Sequence, residues 1–212
     1  MTVEELIHPR SAALLVVDMQ NDFCDSRGSL AVGGADPSLI QEMAPRLVRL
    51  LESARAIEGL PIIHVRTIHS RWTDSESWLG RLKGRGPICT PDTWGADYYP
   101  GFSPLPSEYV VTKHRYSAFV GTDLEQVLRA LGRRSVIMTG EATNVCVEST
   151  ARDAYMRDFF VAFTSDCTAS TSPEAHEATL YTIGKHFGEV VTSDDVTAAW
   201  QRLGVLKEAM PA

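Results

Sequence analysis

Residues 12–17 read AALLVV, and the next residue is the carboxylate Asp18. A continuous apolar run of this length, without polar alternation, fits a strand covered on both faces, as in a parallel sheet. Five more runs share the pattern: Leu60–Val65 (LPIIHV), Tyr109–Thr112 (YVVT), Ser135–Thr139 (SVIMT), Phe159–Phe163 (FFVAF) and Glu189–Thr192 (EVVT). Helical periodicities fill the gaps between them. Leu39, Met43, Leu47, Leu50, Leu51, Ala54 and Ile57 recur at helix spacing, with Pro45 expected to start or kink the regular part. Thr122–Leu131 stops at Gly132, a helix over about 144–157 follows, Pro173–His186 is closed by Gly188, and Ser193–Leu203 ends the series. This alternation predicts one α/β domain over residues 1–212, a three-layer α/β/α arrangement around a mostly parallel six-stranded sheet. The rhythm breaks at 66–108, which carries Trp72, Trp78, Trp94, Tyr98, Tyr99 and Phe102 among glycines and prolines. A loop or insertion that long inside a domain is expected to serve function.

Composition narrows the function classes. At 44% hydrophobic and 22% charged residues in 212, the chain can build a core, which excludes disordered and collagen-like classes. The formal net charge of −7 repels phosphate backbones and anionic lipid surfaces, so nucleic acid and membrane are not expected partners. The beginning, MTVEELIHPRSAALLVVDMQ, lacks the basic and apolar segments of a secretory signal, and a cytoplasmic location is expected. Cys24, Cys89, Cys146 and Cys167 form no C-x-x-C pair and have no His at zinc-finger spacing. Neither a structural zinc site nor a disulfide framework is therefore expected, and a free thiol is by default a small buried hydrophobe.

Chemistry is expected beyond the carboxyl ends of the strands, where open parallel sheets bind ligands. The first strand ends at Asp18, the third at Lys113, and the fourth runs into TGEATNVC, residues 139–146, before a helix. An acid, a base and a thiol would thus project from one edge. With Thr143 or Asn144 as N-cap, Cys146 falls in the first helical turn, where the helix dipole, unpaired amides and Lys113 are expected to lower its pKa. Asp18 could act as base and later as proton donor to a departing nitrogen, and the helix-start amides could hold an oxyanion. No His is as favourably placed, which speaks against a papain-like Cys-His pair.

LLVVDMQNDFC (14–24), VVTKHRYSAFVGT (110–122) and TGEATNVCVESTARDA (139–154) closely resemble the isochorismatase-like cysteine hydrolases, in order and spacing over almost the whole chain. Within that family they look most like the branch containing ureidoacrylate amidohydrolase and biuret hydrolase. The resemblance implies a Rossmann-like fold, a catalytic triad of Asp18, Lys113 and Cys146, a cis peptide between Glu141 and Ala142, and an oxyanion hole from the Ala142 and Cys146 amides. It also implies homo-oligomers, and a small linear amide of ureido or carbamoyl type cleaved through an acyl-Cys146 thioester. Isochorismatases proper act on a vinyl ether and lack the nucleophilic cysteine, so Cys146 points to C–N cleavage. Phe23 and Tyr116 are expected pocket walls, and Arg115 or His114 could grip a substrate carboxylate. Nicotinamidases carry a D-x-H-P-x-x-H metal motif after the second strand, whereas this chain reads HVRTIHSRW at 64–72. No metal or cofactor is expected. A nicotinamidase-like amidase and a non-catalytic thiol-based binding or redox-sensing protein stand as alternatives. Glu141 occupies a position where a small or apolar residue is commoner in the family.

Overall fold

The structure, a computed structural model, describes residues 2–82 and 86–206. Its centre is β1 (Ala12–Val17), in which every residue is buried. Around it lie β2 (Ile62–Thr67), β3 (Tyr109–Lys113), β4 (Ser135–Glu141), β5 (Phe160–Ala169) and β6 (Glu189–Val191). All pair in parallel, in the order β3-β2-β1-β4-β5-β6. Leu14 lies opposite Ile62 of β2 on one side and Ile137 of β4 on the other. The strand order reverses beside β1, which opens a crevice beyond its carboxyl end.

Helices cover both faces: α1 (Val3–Leu6), α2 (Asn21–Cys24), α3 (Ser29–Val32), α4 (Ser38–Arg55), α5 (Glu76–Arg81), α6 (Leu124–Ala130), α7 (Glu148–Tyr155), α8 (Pro173–His186) and α9 (Ser193–Arg202). Side chains of β1 alternate between two cores. Ala12, Leu14 and Val16 meet Leu47, Leu51 and Trp200 from α4 and α9. Ala13, Leu15 and Val17 meet Leu124, Leu128, Ala151 and Ile183 from α6, α7 and α8. Each fully buried side chain of this size contributes about 1.5–3 kcal/mol, which explains why an unbroken apolar run marks the middle strand. Trp200 also spends its indole N–H on the Ile7 carbonyl at 3.0 Å, closing the chain's end onto its beginning.

Differences from the sequence expectations have local causes. The helix α4 runs unbroken through Pro45, because its buried stripe of Ile40, Met43, Ala44, Leu47, Leu50, Leu51 and Ala54 outweighs one lost backbone bond. The second strand begins at Ile62, since Pro61 has no N–H to give a ladder; its carbonyl accepts from the Leu14 N–H at 2.9 Å instead. The strand β5 reaches Ala169, well past the expected Phe163. Its second half is polar, and hydroxyls satisfy the interior: Thr164 donates to the Met138 carbonyl at 2.8 Å and Thr168 to the Thr164 carbonyl at 2.7 Å. The four short helices α1, α2, α3 and α5 span too few turns to show a period. Among the described residues no helix is long and apolar enough to cross a membrane.

The aromatic segment is tied down over the sheet's carboxyl edge. The Asn21 N–H reaches the Asp97 carbonyl (3.0 Å), the Tyr99 N–H the Met19 carbonyl (2.9 Å), and the Asn21 amide the Trp94 carbonyl (2.8 Å). A further tie is Asp22, whose carboxylate accepts from the Cys89 N–H at 2.6 Å and from the N–H and hydroxyl of Ser29 at 3.0 and 2.9 Å. Only glycine fits at position 95, where a Cβ would come within 2.3 Å of that carboxylate. Asp22→Ala leaves these donors unpaired at about 1–3 kcal/mol for each buried group. Urea unfolding should therefore show a loss of about 3 kcal/mol, with protease nicks appearing first within 86–98; unchanged stability and an unchanged cleavage map would refute the tie.

Candidate active site

Asp18 follows β1 directly and is completely buried. Its φ of 53° is left-handed, a conformation that Asp tolerates better than most residues. The Asp18 N–H still donates to the Val65 carbonyl at 2.8 Å, so the chain turns while the carboxylate stays over the strand ends. Gly140 makes the matching turn in β4: at φ 106°, a Cβ there would lie 2.0 Å from the Val17 carbonyl oxygen. Glycine at that place lets β4 lie against β1 and carries Glu141 and Ala142 over the crevice. The Glu141–Ala142 peptide is cis, as the family resemblance implied.

Lys113 ends β3 and is 1% exposed. Its Nζ lies 2.7 Å from Asp18 Oδ2, donates to Thr67 Oγ1 at 2.7 Å, and donates to Cys146 Sγ at 3.3 Å. An ion-pair partner and two hydrogen-bond acceptors thus meet the ammonium, which is what makes a buried cation tolerable. Burial pulls the Lys113 pKa down, but the Asp18 charge and the Cys146 sulfur outweigh it and hold the ammonium above its ordinary range. Thr67, the last residue of β2, passes its own hydroxyl hydrogen to Asp18 Oδ1 at 2.9 Å. Gln20 locks that strand end, accepting from the Thr67 N–H (2.7 Å) and donating to the Thr67 and Ala96 carbonyls (3.0 and 2.9 Å). Neither residue was singled out from sequence, although the strand-end rule that marks Lys113 applies equally to Thr67.

Cys146 behaves differently from expectation. Burial pushes its thiol up; Lys113 pulls it down, but Asp18 pushes it further up, and the result lies well above the ordinary thiol range. A shift in that direction favours the protonated thiol. Its setting also differs from a capped α-helix. Residues Thr143–Val147 form a wide π turn whose start, the Ala142 carbonyl, accepts from the Val145 and Val147 N–H groups at 3.0 and 3.2 Å. Neither expected cap acts as one. Thr143 Oγ1 is hydrogen-bonded with His176 Nδ1 at 2.9 Å, and Asn144 Oδ1 accepts from Ser170 Oγ at 2.7 Å. Cys24, Cys89 and Cys167 are buried free thiols, with Cys167 pushed up by burial to about 12.

A cavity of about 260 Å³ opens over the sulfur, with Ala142, Cys146, Lys113 and Glu141 in its lining. Phe23, Tyr116 and Arg115 line it, and so do Trp78 and Ile88 from the aromatic segment. Arg115 Nη1 donates to the Thr73 and His114 carbonyls at 3.0 and 2.5 Å. His114 is turned aside, its ring Nδ1 2.6 Å from the Ile68 carbonyl oxygen. His69 also lines the cavity, stacked on Trp78 at 4.4 Å with Nδ1 2.9 Å from Asp74. Burial lowers its pKa against the pull of Asp74, so the neutral ring donates to that carboxylate. His64 faces Glu108 at 2.9 Å, away from His69. Among the described residues no three His, Cys, Asp or Glu side chains converge as a ligand set.

The isochorismatase domain model matches residues 12–195. A ureidoacrylate amidohydrolase RutB of Agrobacterium fabrum is 31% identical over 221 aligned positions, covering 97% of this chain and 94% of that protein. The crystal structure of an isochorismatase-like hydrolase from Alkaliphilus metalliredigens superposes with a TM-score of 0.79 at 34% identity, over 90% of this chain and 99% of that one. Nicotinamidase/pyrazinamidase PncA from Bacillus subtilis superposes with a TM-score of 0.70 at 26% identity, over 85% and 99%. The chain belongs to the isochorismatase family.

Proposed function

We propose that this member of the isochorismatase family is a cysteine amidohydrolase that cleaves a C–N bond of a small linear amide of ureido or carbamoyl type. The observation that carries the proposal is the Lys113 ammonium, which bridges the Asp18 carboxylate and the Cys146 sulfur on the cavity floor. A thiol held well above its ordinary pKa does not attack by itself, and Asp18 is the base beside it. Asp18 takes the thiol proton as Sγ forms a bond to the carbonyl carbon, and the oxygen's new charge is received by the Ala142 and Cys146 amides. On collapse the C–N bond breaks, Asp18 returns the proton to the departing nitrogen, and an acyl-Cys146 thioester remains. Asp18 then deprotonates a water that attacks the thioester carbon; the sulfur leaves and takes the proton back. Throughout, Lys113 keeps a positive charge against whichever of the two groups is anionic. Arg115 at the cavity wall is placed to receive a carboxylate at the far end of the substrate.

The amide class rests on the relatives, most directly on the protein named ureidoacrylate amidohydrolase RutB. A nicotinamidase-like activity is the second candidate, favoured by the superposition on PncA. A redox-sensing thiol fits less well, because such thiols are exposed and low in pKa, whereas Cys146 is 8% exposed and pushed up. Homo-oligomers and a cytoplasmic location belong to the same proposal, on the family resemblance. The test is ammonia release from ureidoacrylate, biuret, N-carbamoyl amino acids and nicotinamide. We expect kcat/KM for one of the N–CO–N compounds to exceed that for nicotinamide by about 100-fold or more. Nicotinamide as the best substrate would transfer the assignment to the second candidate.

A further inference from the structure

Glu141 is a carboxyl at the reacting centre that the steps above leave unused. It ends β4, is 3% exposed, and lines the same cavity as Cys146. Its carboxyl meets no hydrogen-bond partner among the described residues; Asp18 and Lys113 act on it only through their charge. Burial, reinforced by the Asp18 charge, pushes its pKa well above the carboxylate range, which favours the neutral acid. Lys113 makes no hydrogen bond to it; its own go to Thr67 and Cys146, beside its ion pair with Asp18. Buried polar groups almost always find partners, and an unpartnered one opening on a cavity calls for a partner that the ligand brings.

The chemistry of that partner follows by elimination around the substrate carbonyl. In the mechanism above, the oxygen goes to the Ala142 and Cys146 amides, and the departing nitrogen goes to Asp18. What remains is the substituent that stays on the acyl carbon. In a simple carboxamide this is carbon; in a ureido or carbamoyl compound it is nitrogen carrying hydrogen. Resting on the amidohydrolase assignment, we propose that Glu141 is a specificity residue which accepts a hydrogen bond from the retained nitrogen of an N–CO–N substrate, selecting ureido and carbamoyl compounds over carboxamides. A site built to receive an N–H rejects the analogue lacking it, because its own buried group then stays unpaired.

N-carbamoylglycine and succinamic acid test this directly, since they differ only in NH against CH2. Intrinsic reactivity cancels when variants are compared, so the readout is the change in the ratio of the two kcat/KM values. Glu141→Leu should lower the ratio by about 100-fold, mainly through loss on N-carbamoylglycine, while Glu141→Gln, which keeps a neutral acceptor, stays within about threefold of wild type. A merely structural role predicts a lower melting temperature for Glu141→Leu, whereas removal of a buried unpaired carboxyl leaves it at or above that of wild type. A Leu variant that loses both activities equally, or keeps the wild-type ratio, overturns the inference. If wild type turns over no amide in the wider panel, the amidohydrolase assignment fails by itself. The inference is then read from the two Kd values on Cys146→Ala protein: the same preference, lost on adding Glu141→Leu, supports it, and equal or undetectable binding of the pair overturns it.

Discussion

Replacing Cys146 with Ala is expected to abolish amide hydrolysis, with kcat falling by about 10⁴-fold or more, while the fold and substrate binding survive. The loss is large because no other group can form the thioester: Cys24, Cys89 and Cys167 are buried, and burial holds their thiols up. The fold survives because Cys146 borders a cavity and packs on one side only. Mass analysis of acid-quenched wild type should show one acyl adduct on Cys146, absent from the Ala variant. The thiol's raised pKa gives a second check. Below its pKa the sulfur is protonated and unreactive, so iodoacetamide labelling of Cys146 in the substrate-free enzyme should still be rising at pH 9. Undiminished turnover by Cys146→Ala would end the covalent mechanism, and labelling that levels off near neutral pH would restore the activated thiolate.

The second large effect is expected at Lys113. Substitution by Met leaves the fully buried Asp18 carboxylate without its counter-charge, which costs about 3–5 kcal/mol of folding stability. It also removes the donor to Thr67 Oγ1 and to Cys146 Sγ, so activity should fall by about 10³-fold or more. The diagnostic is the double variant Asp18→Asn/Lys113→Met, in which both charges are gone. Its urea midpoint should recover most of the way to wild type while it stays inactive, because a neutral pair of similar volume avoids the burial of an isolated ion. Additive destabilisation in the double variant would show that Lys113 supports the fold through packing rather than through Asp18.

Much of this molecule is legible in its sequence. The runs at β1, β2, β3 and β4 announce a sheet buried on both faces, and the residues that end them, Asp18, Lys113 and the segment leading to Cys146, are where parallel sheets place chemistry. The family resemblance implied the cis peptide. Other features were hidden for reasons that can be named. The polar second half of β5 lacks an apolar signature because hydroxyls satisfy its backbone environment. A helix passing through Pro45 depends on how much its apolar stripe buries, which is a property of its partners. His69 and Trp78 belong to the cavity only because a tied-down loop folds back over the sheet.

The sequence by itself determined the class of sheet and the strand ends at which Asp18, Lys113 and the segment leading to Cys146 stand, since periodicity and residue type report what each segment must bury or expose. Only the tertiary structure decided how those groups act on one another. With β3, β2, β1 and β4 side by side, one ammonium serves Thr67, Asp18 and Cys146, and Glu141 joins Asp18 near the same sulfur. Burial and those charges set the direction of the thiol's pKa, against what its place at a helix start suggested. Burial and charge–charge energies depend on distances between segments far apart in the chain, and no local pattern encodes them.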